Sequence, residues 1–317
     1  MVLIYKKYFP VDLSSSELSA HHVAHVLEQE WRNSHSVAKV QELIDFVVTE
    51  YGFELDLCDA SYDDGDGWSL LDYLCSGDRL DFEPAVVAAV VSSGAAPVLH
   101  RGRRDVVEQV IRKYAKGERH KSPDWRQAAE YIDVLLHGGA HVNRVTYCDD
   151  GWRLFSESLH YFFHVSKKKS LDVLCCNNEY LRLLLPLIQH GAYVDCEAAA
   201  ECLWKSTDDF FDWEDSPDLS DLQIELAKNL RNAGLAVSTF DNCLSKALRS
   251  SLSAKQRPLA MQQLFHAVEP PPERLQFLCR LVIRRQLMIA QEGRSILAAI
   301  DELPLPSVIS SYIQLQS

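Results

Sequence analysis

Long apolar runs and an excess of basic residues are both missing from this 317-residue chain. No apolar run approaches the roughly 20 residues that a helix needs to cross a bilayer. The apolar start, Met1–Tyr5, precedes its lysines, whereas a signal peptide carries its positive charge first. We therefore expect a soluble, intracellular protein, cytoplasmic, with the nucleus as the open alternative.

The charge balance excludes two classes of partner. Lys and Arg number 32 against 45 Asp and Glu, which gives a formal net charge of -13. Nucleic acids and anionic membranes both favour a basic surface, so we expect neither as a partner.

Signatures of catalysis and of metal binding are also missing. The P-loop, the Gly-x-Ser-x-Gly elbow and the dinucleotide fingerprint do not occur. The nine cysteines form no Cys-x-x-Cys pair, and most lie in apolar helical patterns, as buried reduced thiols do. His21, His22 and His25 do not form the His-Glu-x-x-His pattern of a zinc site, and Asp59–Asp66 fails the calcium-loop template. We expect no catalysis, no cofactor and no metal.

Helical periodicity dominates what is present. Pro84 suits the first turn of a helix, where its missing N–H is not needed. Pro186 falls inside an apolar run and predicts a kink or a restart of that helix. Helices are predicted at about 67–79, 84–93, 104–116 and 123–137.

Helix ends repeat along the chain with one plan. Each is an apolar turn, then a glycine, usually a small residue, and a short extended segment containing Val. The glycines are 42, 45, 52 and 43 residues apart, and self-similarity of this kind indicates a repeat array. They are Gly52, Gly94, Gly139, Gly191 and Gly234.

These helix ends resemble those of the ankyrin repeat, in which the second helix ends in Leu-Leu-x-x-Gly-Ala-x-Val-Asn. Ala140, Val142 and Asn143 after Gly139 match it well. The resemblance implies an all-α fold, an ankyrin-like helical solenoid of about five to six divergent repeats with insertions. We place it at residues 35–268, after an N-terminal helical cap at 1–34.

Two insertions differ from the repeats in composition. Arg101–Arg126 is basic and is interpreted as a solvated face. Asp208–Asp221 interleaves acids with Phe210, Phe211 and Trp213. It either folds back on the solenoid or contacts a partner, because exposed aromatics favour contacts.

A Pro-rich linker, 269–273, leads into an amphipathic helix. Its apolar residues form one stripe, and Arg280 and Arg284 are expected on the opposite side. The Leu303–Pro306 turn follows after a second short helix, with φ fixed at two prolines. The stripe consists of Leu275, Leu278, Cys279, Val282, Ile283 and Leu287.

This C-terminal segment resembles a SOCS box, the C-terminal module of substrate receptors for cullin-RING ubiquitin ligases. The elongin-binding element of that family, Leu-x-x-x-Cys-x-x-x-aliphatic, is matched by Leu275, Cys279 and Ile283. Arg274 stands where the family usually has a small residue or proline. The cullin-5-selecting element is matched by Ile300, Leu303, Pro304, Leu305, Pro306, Ile309, Tyr312 and Ile313.

The resemblance implies a three-helix SOCS box at 274–317 and a role for each matched position. Elongin B and elongin C would be contacted through the first element and cullin-5, with its RING protein, through the second. The implied elongin-binding residues are Leu275, Leu278, Cys279, Val282 and Ile283. The implied cullin-binding residues are Leu303, Pro304, Leu305, Pro306, Ile309 and Tyr312.

Taken together, the two resemblances imply a non-catalytic adaptor that recruits a protein substrate to an elongin BC–cullin-5 ubiquitin ligase. Cys279 is interpreted as a small apolar knob for a partner's groove, since no base accompanies it as a nucleophile would require. The substrate is not readable from the sequence. The alternative function is a ligase-independent ankyrin-repeat scaffold or inhibitor, in which the box only caps the solenoid.

Overall fold

The structure is a computed structural model, and it describes residues 9, 18–56, 68–76, 83–97, 106–116, 124–143, 179–193, 221–233, 275–291 and 294–315. Every regular element in these ranges is helical, in agreement with the predicted all-α class. Among the same residues, no helix is both long and apolar enough to cross a membrane. Gly234, Arg274, the linker 269–273 and residues 208–220 lie outside the described ranges.

The chain divides into two compact units. The first comprises Met1–Lys113 with Glu130–Ala140, and the second Tyr114–Ala129 with His141–Ser317. The domain boundaries given above stay predictions. Six helices precede residue 141 in the described ranges: α1 Ala20–Ser34, α2 Val37–Tyr51, α3 Leu70–Ser76, α4 Pro84–Ser92, α5 Val106–Lys116 and α6 Trp125–His137.

The first unit is built from helices that bury one apolar side each. The Ser19 side chain accepts a hydrogen bond from the His22 amide and so begins α1. Pro84 occupies the first turn of α4, as predicted. Helix α1 packs on α2 and α3, and α2 packs on α4. Their shared core contains Leu27, Val40, Leu43, Ile44, Leu74, Val86 and Val90, each at most 1% exposed.

The glycine-terminated helix ends have the backbone conformation that their sequence predicts. Gly94, Gly139 and Gly191 have φ of 105°, 99° and 93°, a region that side chains disfavour. At all three sites the glycine N–H and the next residue's N–H return to carbonyls of the last helical turn. The residue after each glycine is a buried alanine: Ala95, Ala140 or Ala192.

Consecutive helix ends are also joined to each other within each unit. In the first unit, the amide of Ala96, after Gly94, donates to Asp56 Oδ1 at 2.8 Å. In the second, Asn143 donates to Gly191 O at 2.8 Å and accepts from Tyr193 N at 2.5 Å. These bonds connect equivalent positions of consecutive glycine-terminated segments.

The second unit begins, in its described part, with a 3-10 helix, Glu179–Leu183, that continues as α7, Leu184–Gln189. Pro186, for which the sequence predicts a kink or a restart, lies in the first turn of α7, directly after the change from 3-10 to α-helix. Helix α8, Asp221–Asn232, packs on both. The C-terminal helices are α9 Leu275–Ala290, α10 Ile296–Asp301 and α11 Ser307–Ile313, and each of the three contacts the other two.

Candidate functional site

Helix α9 presents apolar side chains to solvent. Val282 is 59% exposed and Ile289 is 64% exposed. A cluster of exposed apolar side chains on one helix is a common mark of a binding surface. The part of this surface that lies within the elongin-binding element predicted from the sequence is termed the outer face of α9. It consists of Leu278, Cys279, Val282 and Ile283, and Ile289 lies beyond it.

Two arginines lie on the opposite side of α9 from these apolar residues, as the sequence predicts, and the structure shows that this side is the buried one. Arg280 is 7% exposed and Arg284 is 2% exposed. Leu287, which the sequence placed in the same stripe as Leu278, packs instead against the core between the C-terminal helices. The amphipathic pattern was read correctly, but the side that packs inward is the one with the arginines.

Arg284 is buried because three backbone carbonyls accept its guanidinium hydrogen bonds. It donates to Ile313 O at 2.8 Å, to Ile188 O at 2.9 Å and to Gln189 O at 3.0 Å. Ile313 ends α11, and the other two residues end α7. Terminal carbonyls of a helix have no intrahelical partner and carry partial negative charge, so they suit a buried cation.

The environment of Arg284 lowers the pKa of its guanidinium but leaves the group charged at neutral pH. Burial, and next the positive charge of Arg280, lower the pKa of Arg284 to about 10. That pKa remains well above neutral pH, so the guanidinium is charged under ordinary conditions. Its charge is balanced by carbonyl dipoles in the contacts described above.

Arg280 joins α9 to two other helices. Its guanidinium lies 4.5 Å from the centroid of the Tyr312 ring on α11 and donates to Asn232 Oδ1 on α8 at 2.9 Å. Burial lowers the pKa of Arg280, with Tyr312 acting in the opposite direction and Arg231 in the same direction. Tyr312 is half-buried, so its ring contributes to the packing of the three C-terminal helices.

A small core holds these helices together. Ile296, Leu297, Ile300 and Ile313 are at most 3% exposed, and Leu287, Met288 and Leu305 pack around them. Ser295 begins α10 by accepting from the Leu297 amide at 3.1 Å.

The turn before α11 divides the residues of the second sequence element into two groups. Leu303, Pro304, Pro306 and Ile309 are exposed. Leu305 and Tyr312 are half-buried, and Leu305 contacts the core. The exposed side chains are therefore available to a partner, whereas Leu305 and Tyr312 are partly covered by other residues of the C-terminal helices.

The three histidines that were considered for metal binding each make another contact, and two of the nine cysteines lie in the described ranges. His22 packs edge-on against Phe9, His21 packs against Tyr73, and His25 hydrogen-bonds Gln29 on its own helix. Cys75 is buried and free, and Cys279 is exposed and free.

Sequence reasoning missed the residues that attach the C-terminal helices to α7. A serine directly before an apolar periodic run is a helix-start signal, and it could have identified Ser295. Arg284 and His190 carry no such signal, because their partners lie about 100 residues away in the chain.

Comparison with known proteins identifies the C-terminal segment. A protein-family model for the SOCS box matches residues 271–314. These residues are a SOCS box. No curated protein and no solved structure matches the chain.

The SOCS box gives the chain the docking module of a ubiquitin-ligase adaptor. SOCS boxes generally bind elongin B, elongin C and a cullin, and proteins that carry them are generally non-catalytic adaptors. The match spans α9, α10 and α11 and so contains both the outer face and the buried arginines.

Proposed function

We propose that this chain is the substrate-recognition adaptor of an elongin BC–cullin-5 RING ubiquitin ligase. The observation that carries the proposal is the outer face of α9, a row of apolar side chains exposed on a helix whose buried side is occupied by arginines. A helix that exposes its apolar face is suited to insertion into a partner's groove. The adaptor would supply proximity between substrate and ubiquitin-conjugating enzyme and no covalent chemistry of its own.

Elongin B and elongin C are the proposed partners of the outer face. Leu278, Cys279, Val282 and Ile283 supply exposed surface there, and Leu275 precedes them by one helical turn. Cys279 serves as the small residue between larger apolar neighbours. Burial of such a surface is favourable by about 25 cal/mol for each Å² of apolar area removed from water.

Cullin-5, with its RING protein, is the proposed partner of the turn and of α11. Leu303, Pro304, Pro306 and Ile309 are exposed there, and prolines fix the turn before binding. A preformed turn loses little conformational entropy when it docks. Leu305 and Tyr312 support it from inside the box.

The segments before the box are proposed to form the ankyrin-like solenoid that binds the substrate. The repeated glycine turns and the hydrogen bonds of Asp56 and Asn143 to the following segments support this interpretation. Residues 1–34, 35–268, 269–273 and 274–317 are the proposed cap, solenoid, linker and box. We place the adaptor in the cytoplasm, with the nucleus left open.

Co-purification with elongins tests the proposal directly. Val282→Asp places a charge at the centre of the outer face and is expected to abolish retention of elongin B and elongin C. Ile289→Asp is the matched control, because Ile289 is equally exposed on α9 but lies beyond the elongin-binding element. If the wild-type chain fails to retain the elongins, the adaptor function is excluded.

A separate experiment addresses the cullin. The double variant Leu303→Ala and Pro304→Ala is expected to keep elongin binding and to lose cullin-5, because both side chains are exposed and neither belongs to the core of the box. Pull-downs with purified cullin-2 and cullin-5 provide the comparison. Equal capture of both cullins by the wild type would contradict selection of cullin-5.

A ligase-independent scaffold or inhibitor remains the second candidate. Its supporting observation is that the box packs on the end of α7 through Arg284, which suits a structural cap. In that case the elongins do not bind, and Val282→Asp has no effect on partner binding.

A further inference from the structure

The side of the SOCS box opposite the outer face is fixed to the Gly191-terminated helix α7. Arg284 makes two of the contacts by donating to Ile188 O at 2.9 Å and to Gln189 O at 3.0 Å. The same guanidinium donates to Ile313 O at 2.8 Å. One side chain therefore closes the box internally and attaches it to a remote segment.

Further contacts surround this joint between the SOCS box and the end of α7, and two of them join backbone to backbone. The Ile296 amide donates to His190 O at 3.1 Å, and the buried His190 ring lies 2.5 Å from Ser295 Oγ through its Nδ1. Ile296 also packs against Gly191, where a Cβ would meet its side chain at 3.1 Å. An isolated bridge pairs the backbones of His141 and Arg294. Such backbone contacts fix the direction of the SOCS box as well as its distance from the segments that it contacts.

Arginine suits the joint better than lysine does. Its planar guanidinium offers five donors in a rigid fork, and here Nη1 points to one helix end while Nη2 bridges two carbonyls of another. A lysine ammonium is a single point with three donors on a flexible stem, so it cannot reproduce both directions with the same precision.

We propose that Arg284 is the positioning residue that sets the direction of the SOCS box relative to α7, and through it the position of the recruited ligase. The consequence for the position of the ligase rests on the proposed adaptor function. The attachment of the SOCS box to α7 through Arg284 can be measured without any ligase. Elongins bind the opposite side of α9, so Arg284 acts on orientation and not on elongin affinity.

The test uses full-length Arg284→Lys with Arg285→Lys as the matched control. Arg285 is the adjacent arginine of α9, and its side chain is exposed. Hydrogen exchange at the amides of Ala192 and Ile296 is expected to accelerate at least tenfold in Arg284→Lys and to be unchanged in Arg285→Lys. Ser295→Ala, which leaves Arg284 in place, should accelerate exchange at Ile296 as well.

The second part of the test measures ubiquitination of the chain itself by the reconstituted ligase. In a reconstituted reaction with elongins, cullin-5, its RING protein and ubiquitin, Arg284→Lys is expected to bind elongins within twofold of wild type. The set of its own lysines that receive ubiquitin is expected to change, and mass spectrometry maps it. Arg285→Lys should reproduce the wild-type set.

The outcomes separate this inference from the adaptor function. Wild-type exchange rates at Ala192 and Ile296 in Arg284→Lys would overturn the inference. Loss of elongin binding in Arg284→Lys but not in Arg285→Lys would also overturn it, because Arg284 would then support the docking face itself. Failure of the wild-type chain to bind elongins would contradict the adaptor function, while the exchange measurement would still decide the role of Arg284.

Discussion

Arg280 stacks on the ring of Tyr312, with 4.5 Å between its guanidinium carbon and the ring centroid. This contact joins the first helix of the SOCS box to the last. Because Tyr312 belongs to the sequence element attributed to cullin selection, that element and the elongin-binding helix are physically connected through Arg280.

The contact predicts that the ring of Tyr312, and not its hydroxyl, stabilises the box. Tyr312→Ala is expected to lower the free energy of unfolding by about 1–2 kcal/mol, since it removes a partly desolvated cation–π pair and ring packing. Tyr312→Phe keeps the ring and should stay within about 0.5 kcal/mol of wild type. Urea unfolding measures both, and equal loss in the two variants would assign the stability to the hydroxyl.

Gly191 gives a second prediction, because both its conformation and its surroundings exclude a side chain. Gly191→Ala must place a Cβ at φ of 93° and 3.1 Å from Ile296. Gly139→Ala is the matched control, since its φ is 99° with nothing within 4 Å of the added Cβ.

The two glycine variants are expected to differ in cost. Gly139→Ala should cost about 1–2 kcal/mol of unfolding free energy from backbone strain alone. Gly191→Ala should cost about 1 kcal/mol more, because it also crowds the joint with the SOCS box. Thermal unfolding of both variants compares them, and equal costs would show that Ile296 accommodates the methyl group freely.

Cys279 is expected to react with thiol reagents much faster than Cys75. Cys279 is exposed, whereas Cys75 is 2% exposed. Maleimide labelling followed by peptide mass spectrometry should show Cys279 modified at least about tenfold sooner, because access controls thiol reactivity. Added elongin B and elongin C should protect Cys279, and unchanged labelling in their presence would place elongin binding elsewhere.

The lowered pKa of Arg284 predicts the pH range in which it affects stability. In the folded chain this pKa is about 10, below the ordinary value for an arginine. Between about pH 10 and that ordinary value the unfolded chain holds a proton that the folded chain has released, so the Arg284 contribution to unfolding free energy rises with pH. At lower pH the group is charged in both states, and its contribution is constant.

The stability difference between wild type and Arg284→Met isolates this contribution. It is expected to stay flat from about pH 6 to 9 and to grow in favour of wild type above about pH 10. Urea unfolding across this series measures it. A change between about pH 6 and 8 would instead indicate coupling to a histidine such as His190.

Local features of the fold were predictable because their causes lie within a few residues. Glycine at 94, 139 and 191 predicts a left-handed helix end, and all three have positive φ. Pro84 and Pro186 were placed correctly because proline suits only the first turn of a helix. The SOCS box was predictable for the same reason, since its two elements are short runs of fixed spacing.

Sequence alone thus indicated where the glycine-terminated helices end, and it identified the C-terminal module. Tertiary structure alone decided which side of α9 faces solvent. Amphipathic spacing defines two sides of a helix but does not say which one is buried, because that depends on what distant segments offer. Here the ends of α7 and α11 offer carbonyl acceptors to Arg284, so the arginines pack inward. The apolar outer face of α9 remains exposed as a consequence.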